Sequence, residues 1–197
     1  MTKTLYLMRH GQTLFNKRHR IQGWCDAPLT DLGVYQAQVA GYYFKNAGIT
    51  FDAAYSSTSE RACDTLEIVT NRSLPYQRVK GLKEWGFGTF EGESEDLNPP
   101  LPYEDFFVTY GGESQDQVRE RMAETILKLM QETDGQSILM VSHGGAMANF
   151  AYVWEDNWRL NNLGHMLNCG ILRFSFEDDQ FYLEEVINHD FSGWKEK

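Results

Sequence analysis

The chain alternates short apolar runs with longer stretches in which apolar residues recur every three or four positions. Four segments are predicted as buried strands: 3–8, 53–55, 76–79 and 137–141. Four segments are predicted as amphipathic helices: 30–46, 60–71, 114–132 and 145–153. A hairpin is predicted near the C-terminal end, with strands at 169–176 and 181–187 around an Asp178-Asp179 turn. Strands that alternate with helices indicate an α/β fold, here a three-layer α/β/α sandwich with a mostly parallel central sheet.

Two segments interrupt this alternation. Residues 9–28 are predicted as a long loop, and residues 84–113 are rich in glycine and proline, with a short helix predicted at 103–110. A loop as long as the second is usually functional inside a domain, so we expect 84–113 to form an inserted lid segment. The length of 197 residues favours a single domain that covers 1–197.

Polar residues follow the carboxyl ends of three of the predicted strands, and they include histidines, arginines and glycines. The residues are Arg9-His10-Gly11 after the first strand, Arg61 one helical turn beyond the second, and His143-Gly144 after the strand at 137–141. Because the carboxyl ends of parallel strands meet at one edge of a sheet, we expect these groups to converge there. Arginine offers a bidentate fork to phosphate oxygens, a neutral imidazole is a nucleophile toward phosphorus, and a charged one stabilises the transition state. The sequence therefore predicts a phosphoryl site, with glycine allowing close backbone approach.

The order of several short motifs resembles the histidine phosphatase superfamily, in its phosphoglycerate-mutase-like branch. The resembling blocks are Leu7-Met8-Arg9-His10-Gly11, Asn16 with Gln22-Gly23, Asp26-Ala27-Pro28-Leu29-Thr30, Ser56-Ser57 with Arg61, Glu84 with Phe90-Glu91-Gly92, Gly112-Glu113-Ser114, and Val141-Ser142-His143-Gly144-Gly145. These blocks extend over nearly the whole chain. The resemblance implies a phosphoglycerate-mutase-like fold and phosphoryl-transfer activity.

The resemblance also implies a role for each site residue. His10 would be the nucleophile that becomes a phosphohistidine, while Arg9, Arg61 and His143 would bind and polarise the phosphoryl group. Glu84 would protonate the leaving oxygen and then act as the base toward water. The substrate and phosphate contacts implied are those of Arg9, Asn16, Gln22, Gly23, Arg61, His143 and Gly144. No metal and no cofactor would be needed, since fixed positive charges take their place.

The amino-acid composition excludes several classes of binding partner. The formal net charge is −10, which argues against nucleic-acid binding and against attachment to an anionic membrane. No apolar stretch is long enough to span a bilayer and the N-terminus does not resemble a signal peptide, so we expect a cytoplasmic protein. The three cysteines are widely spaced and are expected to be reduced thiols. The expected partner is a small phosphorylated metabolite, and the chain is expected to be a monomer or a homodimer.

The acidity is concentrated around the lid segment. Residues 84–120 contain ten acidic residues and one basic residue, a net charge of −9, whereas residues 9–20 contain four basic residues and no acidic one. Mutases of this branch carry basic residues in the corresponding insertion, so the acidic insertion favours a phosphatase of small phosphomonoesters. If the lid segment faces the pocket, it should disfavour substrates with further negative charge.

Several alternatives stay open at the level of sequence. The chain could instead be a cofactor-dependent phosphoglycerate mutase or a catalytically silent protein that binds a phosphorylated ligand. Glu91, Glu93 and Glu95 compete with Glu84 for the role of acid, and Asn16 and Gln22 are also typical loop-structuring residues. The aromatic residues of the lid segment could line a substrate pocket or form the packed core of the insertion.

Overall fold

The central element of the computed structural model, which describes residues 2–195, is a six-stranded sheet. Its strands are β1 (Lys3–Arg9), β2 (Ala53–Ser57), β3 (Gln77–Val79), β4 (Ser137–Ser142), β5 (Ile171–Glu177) and β6 (Gln180–Ile187). They lie in the order β3-β2-β4-β1-β5-β6. Neighbours from β3 to β1 are parallel, while β5 is antiparallel to both β1 and β6. The predicted mostly parallel sheet is confirmed.

Helices cover both faces of this sheet. They are α1 (Leu14–Lys17), α2 (Asp31–Asn46), α3 (Glu60–Val69), α4 (Gln115–Glu132) and α5 (Gly144–Val153). Leu5 and Leu7 of β1 pack in a cluster with α4 and α5, whereas the alternate residues Tyr6 and Met8 pack with α2 and α3. The predicted three layers are therefore present. Within residues 2–195, no helix combines the length and the apolar character needed to cross a membrane.

The termini of these elements follow from local capping. The hydroxyl of Thr30 accepts a hydrogen bond from the Gly33 N–H (3.0 Å) and begins α2. Ser114 forms a capping box with Gln117 at the start of α4. Asp178 and Asp179 both have positive φ angles, 51° and 59°, as a two-residue turn between β5 and β6 requires. The predicted hairpin is thus confirmed, while α3 ends two residues before its predicted end.

The two irregular segments are more ordered than predicted. The 9–28 segment contains the short helix α1, which Thr13 caps with a second capping box. The helix predicted at 103–110 is the 3₁₀ helix Phe106–Tyr110. Phe107 is fully buried in the lid segment and contacts the rings of five neighbours: Trp85, Phe87, Phe90, Tyr103 and Phe106. These aromatic rings join the lid segment to the hydrophobic core on the α4 and α5 face of the sheet.

Backbone hydrogen bonds hold the lid segment against the 9–28 segment. The Ile21 N–H donates to the Glu93 carbonyl (2.8 Å), and the Gly92 N–H donates to the Ile21 carbonyl (2.9 Å). One step further along, the Glu95 N–H donates to the His19 carbonyl (2.9 Å). This short antiparallel contact brings the two segments together over the carboxyl ends of β1 and β4.

Candidate active site

A cavity of about 370 Å³ lies where β1 and β4 end side by side. Six of the predicted site residues line it: Arg9, His10, Asn16, Gln22, Glu84 and Gly144. Arg61 and His143 lie next to His10 without lining the cavity, and Gly23 contacts Arg61. The structure therefore brings all the predicted site residues to one place, as the position of the strand ends predicts.

His10 is held as a neutral imidazole with its Nε2 lone pair available. Its Nδ1 lies 2.7 Å from the Gly11 carbonyl oxygen, which can only accept, so Nδ1 carries the hydrogen. Nε2 then accepts a long hydrogen bond from Nε of Arg61, at 3.3 Å. Burial, followed by the positive charges of Arg61 and Arg9, lowers the pKa of His10 well below its ordinary value. A neutral ring is the form that attacks phosphorus.

Burial also favours the neutral form of His143 when no phosphoryl group is bound. Its Nε2 lies 2.7 Å from the Ser57 hydroxyl, and its ring centroid is 5.2 Å from that of His10. Complete burial, followed by the nearby Arg61 and His10, lowers the pKa of His143 well below its ordinary value. We therefore expect His143 to act as a neutral hydrogen-bond donor unless the charge of a bound phosphoryl group draws a proton to it.

Two buried donors at this site have no hydrogen-bond partner within residues 2–195. They are Nε of Arg9 and Nδ1 of His143, the latter as a donor when the Ser57 hydroxyl, which accepts from the Ser59 N–H, donates to Nε2 of the ring. The other end of the Arg9 guanidinium is anchored, because Nη1 donates to the Met166 carbonyl (3.0 Å). Unpaired buried polar groups are rare and cost free energy, and the oxygens of a phosphoryl group would satisfy both. These atoms indicate an anion site beside His10.

Arg61 is almost fully occupied by the protein. Its Nη1 donates to the Cys25 carbonyl (2.8 Å) and to the Asp26 carboxylate (2.9 Å), and Nη2 donates to the Gly23 carbonyl (2.8 Å). The guanidinium has five N–H donors, and Nε donates to Nε2 of His10, so one N–H of Nη2 is left for a ligand. Sequence reasoning missed the ion pair with Asp26, although Asp26 stands within one of the resembling blocks.

Glu84 lies at the N-terminus of α5. Its Oε2 accepts from the Gly145 N–H (2.9 Å), and its Oε1 accepts from the N–H groups of Ala146 (2.6 Å) and Trp85 (2.8 Å). A side chain at position 145 would not fit, because its Cβ would lie 2.8 Å from Oε1 of Glu84. Of the competing carboxylates, Glu93 is exposed and Glu91 binds backbone N–H groups elsewhere in the lid segment and loop. Glu95 lines the outer part of the cavity. The acid role of Glu84 stays a prediction.

Asn16 and Gln22 both line the cavity and organise the loop around it. Oδ1 of Asn16 accepts from the Thr13 N–H (3.1 Å) and from the side-chain amide of Asn168 (3.4 Å). Gln22 lies between Thr13 and Arg61, and with its amide oxygen toward Arg61 it accepts from Nε at 3.1 Å. Sequence reasoning missed Asn168, whose amide also donates to the His10 carbonyl (3.1 Å).

The outer part of the cavity is mostly apolar. Its apolar residues include Phe87, Tyr103, Ala148, Leu163 and Met166, and its charged or amide side chains are Arg20, Glu95 and Asn98. Sequence reasoning missed Arg20 and the two residues from the 158–170 loop, because nothing local marks a distant loop as part of a pocket. The lid segment does face the cavity, but few of its acids do. Glu113, for example, is paired with Arg121 at 2.8 Å.

Comparison with known proteins agrees with this geometry. The family model described as the histidine phosphatase superfamily (branch 1) matches residues 5–189. A 2,3-bisphosphoglycerate-dependent phosphoglycerate mutase of Allorhizobium ampelinum is 28% identical over 98% of this chain and 99% of its own length. The corresponding mutase of Hamiltonella defensa is 37% identical, over 46% of this chain and only 38% of the mutase.

Solved structures with this fold include both mutases and phosphatases. A phosphoglycerate mutase from Bacillus anthracis superimposes with a TM-score of 0.81 at 27% identity, covering 93% of this chain and 92% of the mutase. A phosphoserine phosphatase from Entamoeba histolytica superimposes with a TM-score of 0.76 at 28% identity, covering 94% and 97%. The solved structures that this chain resembles therefore carry the names of both mutases and phosphatases.

Proposed function

The chain belongs to branch 1 of the histidine phosphatase superfamily, and from this premise we propose that it is a phosphatase of small phosphomonoesters that forms a phosphohistidine on His10 and needs no metal. The observation that carries the proposal is the neutral His10 beside two unpaired buried donors, Nε of Arg9 and Nδ1 of His143. A neutral nucleophilic nitrogen with N–H donors beside it is the arrangement that in-line attack on a phosphate ester requires.

The reaction would proceed in two displacements. In the first, Nε2 of His10 forms a bond to phosphorus while the bond to the leaving oxygen breaks, and Glu84 gives that oxygen a proton. In the second, Glu84 takes a proton from water, the water oxygen binds phosphorus, and the P–N bond returns its electron pair to Nε2. Arg9, Arg61 and His143 would stabilise the charge on the phosphoryl oxygens in both steps.

The outer part of the cavity favours a phosphatase over a mutase. A mutase must hold a bisphosphorylated molecule, so it needs cations for the second phosphate. Among the described residues that line the outer part, the cationic side chain is that of Arg20, and the acid Glu95 accompanies it. A second phosphate group would lose its hydration against a mostly apolar wall. Burying its charge costs free energy unless a cation pairs with it. We therefore propose monophosphates with an uncharged or apolar leaving group as substrates.

The proposal is tested by incubating the chelator-treated protein with a panel of phosphomonoesters and measuring free phosphate. The panel includes aryl phosphates, sugar phosphates, phosphoserine and 3-phosphoglycerate, the last with and without 2,3-bisphosphoglycerate. We expect phosphate release from several monophosphates without a primer. Isomerisation of 3-phosphoglycerate that depends on the primer, with little phosphate released, would identify a mutase. Binding of orthophosphate without turnover of any ester would identify a silent binder.

A further inference from the structure

Glu91, in the lid segment, is bound by a set of backbone donors that the proposed reaction does not use. Its Oε1 accepts from the N–H groups of Trp24 (2.7 Å) and Phe87 (3.1 Å). Its Oε2 accepts from those of Gly23 (3.0 Å) and Cys25 (3.0 Å). One carboxylate thus gathers three consecutive N–H groups of the 22–26 loop and one of the lid segment. Such charge-assisted hydrogen bonds are among the strong ones in proteins.

The opposite side of the same loop holds Arg61. The carbonyls of Gly23 and Cys25 accept from its Nη2 and Nη1, both at 2.8 Å. The N–H group and the carbonyl of each of these two residues are therefore bound to Glu91 and to Arg61, respectively. Arg61 is 1% exposed, and its Nε is the group that faces Nε2 of His10. A continuous path of hydrogen bonds leads from Glu91 to the proposed nucleophile.

The atoms around Gly23 are packed so closely that a side chain would not fit there. A Cβ at position 23 would lie 2.5 Å from Oε1 of Glu91 and 2.1 Å from the Trp85 carbonyl oxygen. Glycine at this position therefore allows the carboxylate to approach the loop closely. The contact is independent of the ligand, since all its partners belong to the protein.

We propose that Glu91 is a positioning residue, which holds the 22–26 loop so that the Arg61 guanidinium stays fixed against Nε2 of His10. The inference rests on the proposed function, because it assigns Glu91 a part in the same reaction. It also explains how the lid segment and the phosphoryl site are joined. A displaced lid segment would carry Glu91 with it and release Arg61.

The groups around His10 give the inference a distinctive signature. After burial, Arg61 and then Arg9 are the causes that lower the pKa of His10, and His143 packs beside the ring. If Arg61 moves away from His10, the pKa of His10 rises toward its ordinary value, and the acid limb of kcat/KM moves to higher pH.

Glu91 itself stays ionised in this arrangement. Burial raises its pKa, but the hydrogen bonds from Cys25, Trp24 and Phe87 outweigh burial, so the pKa of Glu91 is lowered. Burial, together with Glu91, raises the pKa of the Cys25 thiol to about 12, so this thiol stays protonated across the range of the assay.

The test substitutes Glu91→Gln, which keeps the size of the side chain but turns an N–H₂ group toward backbone N–H groups. We expect kcat/KM to fall by about 10- to 100-fold, the effect of a small misplacement of a group at the site, with the acid limb moved to higher pH. Glu93→Gln is the matched control, because Glu93 is an exposed neighbour whose backbone, not its side chain, contacts the loop. It should match the wild type. Glu91→Asp keeps the charge and should recover part of the loss.

A double-mutant cycle with Arg61→Lys shows whether Glu91 acts through Arg61. The dissociation constant of orthophosphate is measured beside kcat/KM, so the cycle does not depend on turnover. We expect Glu91→Gln to weaken phosphate binding in the wild type and to have little further effect in Arg61→Lys. The inference would be overturned if the effects of the two substitutions on phosphate binding simply multiplied. It would also be overturned if a folded Glu91→Gln protein kept the acid limb of its kcat/KM profile at the wild-type pH. If Glu91→Gln does not fold, Glu91→Asp enters the same cycle. If the wild type turns over no ester, the proposed function fails, while phosphate binding still decides the role of Glu91.

Discussion

The inner and outer ends of the cavity are built in different ways. At the inner end, Arg9, His10 and His143 stand at the ends of central strands and are held by the backbone of the sheet. At the outer end, Phe87, Tyr103 and Glu95 come from the lid segment, and Arg20 from a surface loop. The inner end is buried and polar, whereas the outer end is partly exposed and mostly apolar. In the proposed reaction the difference would separate two tasks, since the inner end would carry out the phosphoryl transfer and the outer end would contact the leaving group.

The largest effect should come from the inner end. We expect His10→Ala to lower phosphate release from every substrate by about 10³-fold or more, because His10 is the group that accepts the phosphoryl group in the proposed first displacement. The measurement is free phosphate released in the presence of a chelator. His165→Ala is the matched control, since His165 is exposed and plays no part in the proposed site. Substantial activity in folded His10→Ala would refute the phosphohistidine route.

Glu84 lines the cavity beside both ends, and its substitution tests whether it protonates the leaving group. We expect Glu84→Gln to slow the hydrolysis of alkyl phosphates by about 10²- to 10⁴-fold, because their leaving oxygen needs a proton, and to slow aryl phosphates far less. Initial rates on a series of leaving groups of graded basicity give the comparison. An equal loss on all members of the series would show that Glu84 is not the leaving-group acid.

The burial of the inner histidines should make folding sensitive to acid. The folded-state pKa values of His10 and His143 lie well below their ordinary value, so the unfolded chain takes up protons first as the pH falls below about 6.5. The stability present above that pH is then lost by about 1.4 kcal/mol per pH unit for each histidine. Urea unfolding between pH 7 and 5.5 measures the slope. An unchanged slope in a variant that lacks both histidines would contradict this cause.

The outer end should act selectively. We expect Phe87→Ala to raise KM for aryl phosphates by about tenfold, because it removes part of the apolar wall that would contact the leaving group. The loss for a short alkyl phosphate should be much smaller, so the ratio of the two kcat/KM values is the informative quantity. A uniform loss on both substrates would mean that the wall supports the nucleophile rather than the leaving group.

The smallest effect should come from charge at the outer end. Glu95 lines the cavity and is 44% exposed, so its field is screened by water and salt. We expect Glu95→Gln to improve kcat/KM for a substrate with a second anionic group by about two- to fivefold at low salt, and less at high salt. Glu104→Gln provides an exposed lid control outside the cavity. An identical gain in both variants would show a general effect of net charge.

The contrast between the two ends also explains what the sequence could predict. The positions of His10 and His143 were predictable, because a short continuous apolar run predicts a buried strand and the polar residues after it then lie at a known edge of the sheet. Arg20, Asn98, Leu163 and Met166 were not predictable, since each enters the cavity through long-range packing of loops. The low pKa of His143 was not predictable, because residue type alone does not give the degree of burial. The hydrogen bonds of Glu91 show the same limit, since a carboxylate in an acidic loop resembles a solvated one until its partners are known.

The unpaired atoms Nε of Arg9 and Nδ1 of His143 have a consequence for the folding stability of the protein. Where nothing else satisfies them, buried donors of this kind cost roughly 1–3 kcal/mol each. A phosphate bound there would remove that cost, and at a concentration 100 times its dissociation constant it would add about 2.7 kcal/mol to folding stability. The same contacts would make orthophosphate, the product of the proposed reaction, an inhibitor. A rise in the phosphate pool would then slow the enzyme and at the same time protect it from unfolding and proteolysis.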